Sequence, residues 1–150
     1  MDSMDEITAK DSSLYARLLL GRARHLMVKA RQKELAPCHI SPRQANVLFV
    51  LYNLGHKATL SELAKHTDRE NNTLSIQMTR MERDGIVKKI RETPKSTLIS
   101  FELTEKGIEI YEFAKQSKSI KEIMSVLSEE DRQILIAILK KIIKKAGKYQ

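Results

Sequence analysis

The stretch NNTLSIQMTRMERDG, from Asn71 to Gly85, decides how the rest of the chain is read. Leu74, Met78 and Met81 follow one another at spacings of four and three, which predicts a buried stripe along a helix of about four turns. The other side carries Asn72, Ser75, Ile76, Thr79 and Arg83, with Thr73 and Arg80 beside them. It offers short hydrogen-bonding groups, one apolar residue and cations, with no acid before Glu82. Such a face suits a DNA major groove, where base edges present donors, acceptors and the thymine methyl. An ordinary solvated helix face is the competing reading, so the neighbouring segments must decide.

Upstream, Thr59-Leu60-Ser61-Glu62 has the form of a capping box and opens a short helix through Lys65 or His66. Thr67–Glu70 reads as a polar turn, after which either Asn71 or Asn72 can cap the next helix. Two helices joined by a tight turn, the second with a polar outer face, make a helix-turn-helix pattern. Downstream, Gly85 ends the second helix and the period changes. Ile86–Arg91 and Leu98–Leu103 read as strands, the latter turning Ile99, Phe101 and Leu103 inward, with ETPKST (Glu92–Thr97) as the hairpin tip. A lone hairpin is not stable, so it must lean on the helices. The expected architecture is mainly α with a small β-hairpin wing, a winged helix-turn-helix.

Further out, a long helix from about Ser12 to Leu35 is stopped by Pro37. Ser41-Pro42-Arg43-Gln44 then supplies another capping box with proline at the first helical position, ahead of the apolar run Ala45–Leu54, expected at the centre of the core. Thr104 caps a helix from Glu105 to about Lys115, with a bend at Gln116–Ser119. Ser128-Glu129-Glu130-Asp131 starts a last helix to about Ala146, whose isoleucines and leucines cover more than one face. A stripe that wide suggests burial against both its own subunit and a second copy. N- and C-terminal helical segments, 1–38 and 105–150, thus flank the winged helix-turn-helix at 39–104.

The 150 residues carry a formal net charge of +8, which favours a polyanionic partner. The single cysteine, Cys38, excludes an internal disulfide and fits a reducing compartment. With an acidic polar N-terminus and no apolar run of about 18 residues, neither a signal peptide nor a membrane span is expected, and the expected location is the cytoplasm. The histidines show no metal-ligand spacing, there is no Gly-rich phosphate loop, and no nucleophile motif is present. We expect no catalytic residues, no metal and no cofactor.

Four landmarks stand in order: SPRQANVL (Ser41–Leu48), TLSELA (Thr59–Ala64), MERDGIV (Met81–Val87) and LTEKG (Leu103–Gly107). Together the sequence resembles the MarR family of transcriptional regulators. The resemblance covers about half the chain. It implies a homodimer with interlocked dimerisation helices at 1–38 and 105–150 around a DNA-binding domain at 39–104, its two winged helices straddling a pseudo-palindromic double-stranded operator. The recognition helix would enter the major groove and the wing would reach toward the minor groove. Residue by residue, this puts base and backbone contacts at Asn71, Asn72, Thr73, Ser75, Ile76, Thr79, Arg80 and Arg83. Wing and phosphate contacts fall at Lys88, Lys89, Arg91, Lys95, Ser96 and Thr97.

The chain departs from the family at the wing tip, where the usual Asp-Arg-Arg falls on Lys95-Ser96-Thr97. Lys95 is the only basic residue left there, and lysine lacks the flat fork of arginine. Redox-responsive relatives carry a reactive cysteine in the first helix; here Cys38 lies beyond it and reads as a small inert hydrophobe. The expected function is a dimeric, sequence-specific regulator, a repressor released by an effector of unknown identity. Tyr15, Arg17, Arg22 and His25 lie on the helix where the resemblance would put an acidic aromatic effector, and they fit plain surface equally well. Two rivals stand beside this reading. One is a winged-helix protein-interaction module without an operator. The other is a membrane-surface protein held by the basic amphipathic tail ILIAILKKIIKKAGK (Ile134–Lys148).

Overall fold

A computed structural model describes residues 11–67 and 71–149, with the side chains of Asn71 and Asn72 outside that description. In chain order the elements are α1 (Ser12–Leu35), a 3-10 turn (Ala36–Cys38), α2 (Pro42–Asn53), β1 (Lys57–Thr59), α3 (Leu60–Thr67), α4 (Asn71–Arg83), β2 (Val87–Arg91), β3 (Ile99–Leu103), α5 (Glu105–Ala114), α6 (Lys118–Met124), α7 (Glu129–Ala146) and a final 3-10 turn (Gly147–Tyr149). Arg31–Ser117 forms one compact unit; the described residues before and after it, 11–30 and 118–149, form the other.

The first unit is the winged helix-turn-helix. Three of its helices, α2, α3 and α5, start where the caps predict. Ser41 accepts from the Gln44 N–H while the Gln44 side chain accepts from the Ser41 N–H, and Pro42 sits where no donor is needed. Thr59 and Glu62 make the same reciprocal pair, at 3.2 and 3.3 Å. The helix this opens runs to Thr67, slightly past the expected end, and the Thr67 hydroxyl donates to the Leu63 carbonyl in its last turn. The expected turn therefore starts one residue later, and its remaining positions, 68–70, lie outside the described residues. Helix α4 includes both Asn71 and Asn72, which places the expected caps inside the helix instead of ahead of it.

The wing is a three-stranded antiparallel sheet in the order β1-β3-β2. The sequence pattern predicts only two of these strands. The third, Lys57-Ala58-Thr59, pairs with Glu102-Phe101-Ser100 and so supports the hairpin on its far side. Phe101 and Leu103 face the core and Ile99 packs against it, as their alternation predicts.

Among the described residues, eighteen buried apolar side chains fill the core, and all of them fall within Arg31–Ser117. Helix α2 supplies Ala45, Val47, Leu48 and Leu51, and α4 supplies Leu74, Met78 and Met81. Phe49 departs from the expected core run: it is 55 % exposed, because a helix of 3.6 residues per turn cannot turn every apolar residue of Ala45–Leu54 inward. The unit extends past 39–104 at both ends. Leu35 from α1 and Ile110, Tyr111 and Ala114 from α5 belong to the same core, and the Arg31 guanidinium donates to the Ala114 carbonyl at 2.7 Å. Tyr111 stacks on Tyr52 with ring centroids 3.9 Å apart, which pins α5 against α2.

In the other unit, α6 and α7 bury no side chain. Ser117, the last residue of the winged unit, takes the left-handed region at φ +46° at the bend expected before α6. Ser128 accepts from the Asp131 N–H at the start of α7, whose first turn is acidic and last turn basic, in line with the helix dipole. Arg132 ties α6 to α7 by donating to the Met124 and Leu127 carbonyls. Gln133 and Arg132 together hold the Glu129 carboxyl below its ordinary value.

Candidate nucleic-acid interface

Helix α4 is positioned from both sides. Its inner stripe, Leu74, Met78 and Met81, is at most 2 % exposed. Its C-terminal end is clasped by the start of α5. Gly85 takes the left-handed conformation at φ +74°, which ends the helix at little steric cost. Thr104 then does two things. Its hydroxyl donates to the Gly85 carbonyl at 2.6 Å and accepts from the Gly107 N–H at 3.0 Å, capping α5. Lys106 adds a bond from its ammonium to the Asp84 carbonyl at 2.7 Å. Gly107 sits so close beneath this junction that any Cβ would be driven into the Ile86 carbonyl oxygen. The landmarks MERDGIV and LTEKG are thus the two halves of one joint.

With its inner stripe and its end fixed, α4 presents Thr73, Ser75, Ile76, Thr79, Arg80 and Arg83, all exposed. At 3.6 residues per turn, Ile76 lies opposite the buried stripe, with Thr73, Thr79, Arg80 and Arg83 around it and Ser75 to one side. Asn71 and Asn72 begin the same helix, and their side chains lie outside the described residues. Two members of the face already have internal partners. The Thr79 hydroxyl donates to the Ser75 carbonyl at 3.0 Å. Arg83 donates to Asp84 at 3.3 Å, a surface pair worth less than about 1 kcal/mol and easily exchanged for a phosphate. A cleft beside α4 is lined in part by Arg43 and Asn46 from α2 and by Thr73 and Gln77. Arg43 is not among the contacts expected from the sequence. The signal for it is its place just after the Ser41-Pro42 helix start, where an arginine has no packing role.

The wing residues do not form one surface. Cross-strand pairing sets Lys88 opposite Glu102, and Glu102 also faces Lys57 from the third strand. Lys89 and Arg91 alternate onto the other face of the sheet, so the three cations are divided between two sides. Lys88, Lys89, Arg91, Lys95 and Thr97 are exposed. Ser96 is half-buried and holds the tip together: its N–H donates to the Thr93 carbonyl, and its hydroxyl accepts from the Leu98 N–H at 3.1 Å. The Arg91 guanidinium reaches the Ser96 carbonyl at 3.3 Å. Lys95 and Thr97 remain outward at the tip, beside exposed Glu92, Thr93 and Pro94.

On α1, Arg17, Arg22 and His25 are exposed and Tyr15 is half-buried. Among the described residues, no group of three or more His, Cys, Asp or Glu side chains could hold a metal ion, and no helix is long and apolar enough to cross a membrane.

No family model matches the sequence, and no curated protein matches it either. Solved structures do. The chain is similar to AbsC of Streptomyces coelicolor, a MarR family transcriptional regulator, at 24 % identity over 91 % of this chain and 95 % of that one, with a TM-score of 0.81. It is similar to a mutant of MarR from E. coli complexed with operator DNA, at 20 % identity over 95 % and 99 % of the two chains, with a TM-score of 0.79. It is also similar to the organohalide-sensing regulator RdhR-CbdbA1625 in a 2,4-dichlorophenol-bound form, at 24 % identity over 89 % and 80 %, with a TM-score of 0.84. The fold is that of MarR-family transcriptional regulators.

Proposed function

We propose that this protein is a MarR-type regulator: a homodimer that binds a pseudo-palindromic DNA operator through α4 and represses transcription by occluding a promoter. The observation that carries this reading is the division of α4 into a sealed apolar stripe and an outer face whose described members, hydroxyls, cations and one isoleucine, are exposed. The likeness to the E. coli MarR structure, which was solved with operator DNA, supports it. The net charge of +8 would supply affinity through phosphate contacts and counterion release, and the α4 side chains would supply specificity.

Dimerisation is supported by the apolar side chains left on the terminal helices, among them Leu19 and Leu26 on α1 and Ile134, Ile138 and Ile142 on α7, each 44 % to 53 % exposed. A second copy is the natural cover for two such helices. Two symmetric α4 helices would then meet half-sites about one helical turn apart. Repression would end when a small-molecule effector favours a dimer whose α4 spacing no longer fits the duplex, which requires that it bind the two shapes with different affinity. The dichlorophenol-bound form of RdhR-CbdbA1625 supports the idea of an effector but does not name one for this chain.

A mobility shift with the DNA upstream of the protein's own gene tests the reading. A retarded band that survives excess random-sequence duplex is expected; a band removed by an equal mass of competitor would leave no operator. That second result would favour a winged-helix interaction module, the alternative raised by the Lys95-Ser96-Thr97 tip.

A further inference from the structure

The centre of the α4 outer face is apolar, and this sets what it can read. Ile76 is 58 % exposed and points away from Leu74, Met78 and Met81. A single exposed isoleucine elsewhere on a surface would need no explanation. Here it occupies the position that would enter a groove first, among residues that are otherwise polar. Thr79, one turn on, has turned its hydroxyl back to the Ser75 carbonyl at 3.0 Å. Its one donor hydrogen is then committed, the oxygen can only accept, and the γ-methyl belongs to a side chain next to Ile76 at the helical spacing of three. Among the described residues of the face, the donors Thr73, Ser75, Arg80 and Arg83 flank this pair.

In the major groove only one base edge is apolar, the C5-methyl of thymine. Resting on the operator-binding function proposed above, we propose that Ile76, flanked by the Thr79 methyl, reads a thymine methyl at the middle of each half-site. The ligand class is thus narrowed to duplexes with an A·T pair at that position. Arg80 and Arg83 then hold adjacent guanines or phosphates, and the polar ring fixes register around a dry centre.

Duplexes enriched from a random-sequence pool by the full-length protein provide the test, with deoxyuridine then replacing thymine one position at a time. Deoxyuridine pairs as thymine does and lacks only the methyl. The expected loss is about four-fold for the contacted thymine of one half-site and about sixteen-fold for both, from the burial of one methyl each. In Ile76→Ala the same replacement should change affinity by less than about two-fold, and Ile76→Val should fall between the two. Indifference to deoxyuridine at every thymine of an enriched duplex would overturn the assignment, as would a full penalty that persists in Ile76→Ala. Failure to enrich any sequence would instead reject the operator-binding reading itself.

Discussion

Leu48 and Leu51 of α2 are sealed from solvent, while Ile143 of α7, in a run of similar apolarity, is 68 % exposed. The contrast extends to the two units as a whole. Within Arg31–Ser117, helices close on one another and on the sheet, and every helix of the unit gives at least one side chain to a common core. The terminal helices are also rich in isoleucine and leucine, yet α6 and α7 bury none of them. Apolar content tells which residues need cover; it does not tell which molecule covers them. The winged unit meets that need internally. For the terminal helices, the proposed cover is a second copy of the chain.

The largest test of this contrast lies within α4, where the two sides of one helix should respond oppositely. Met78→Ala is expected to lower the stability of the winged unit by about 3 kcal/mol, since the side chain is fully buried. Ile76→Ala should cost less than about 0.5 kcal/mol in the same denaturant titration and still weaken operator binding. Similar losses from both would mean that Ile76 is packed in solution. Next comes the pair Ile138→Glu with Ile142→Glu, one turn apart on α7. Charge at a covered face should raise the dimer dissociation constant about a hundred-fold or more, read by analytical ultracentrifugation. A variant that sediments as the parent does would show that this face is not the one in contact.

Gly107→Ala probes the joint behind α4. Its methyl must displace the Ile86 carbonyl, so a loss of about 2 kcal/mol is expected. An unchanged unfolding midpoint would mean that the Thr104–Gly107 clasp is looser than described. The smallest effect should come from the wing. Lys95→Ala is predicted to reduce the slope of log affinity against log salt by about 0.9, one phosphate contact, and to weaken specific and random duplexes alike. A slope equal to that of the parent would remove the tip from the interface.

Local chemistry made much of this legible in the sequence. The capping boxes at Ser41 and Thr59, the cap at Thr104 and the stripe Leu74-Met78-Met81 each depend on residues within about two turns, and each stands where the sequence placed it. What was not legible depends on distant partners. Lys57-Ala58-Thr59 has no alternation to mark it as a strand and becomes one only by pairing with residues more than forty positions on. The arrival of Arg43 beside Thr73 likewise depends on how α2 and α4 pack, and the donation of the Thr79 hydroxyl to the Ser75 carbonyl is a choice of side-chain rotamer. They leave no periodic trace. For the candidate site, residue types pointed to an exposed polar face on α4, and its described residues are exposed, but they did not show which of its groups are already partnered.

If the protein works as proposed, two copies of the α4 outer face lie in successive major-groove turns on one side of a duplex. A hydroxyl-radical footprint on the retarded fragment measures this directly. The expected result is two protected patches, related by symmetry and about one helical turn apart, that both vanish when Arg80 and Arg83 are changed together to alanine. A single patch, uniform protection, or a footprint untouched by those substitutions would contradict it.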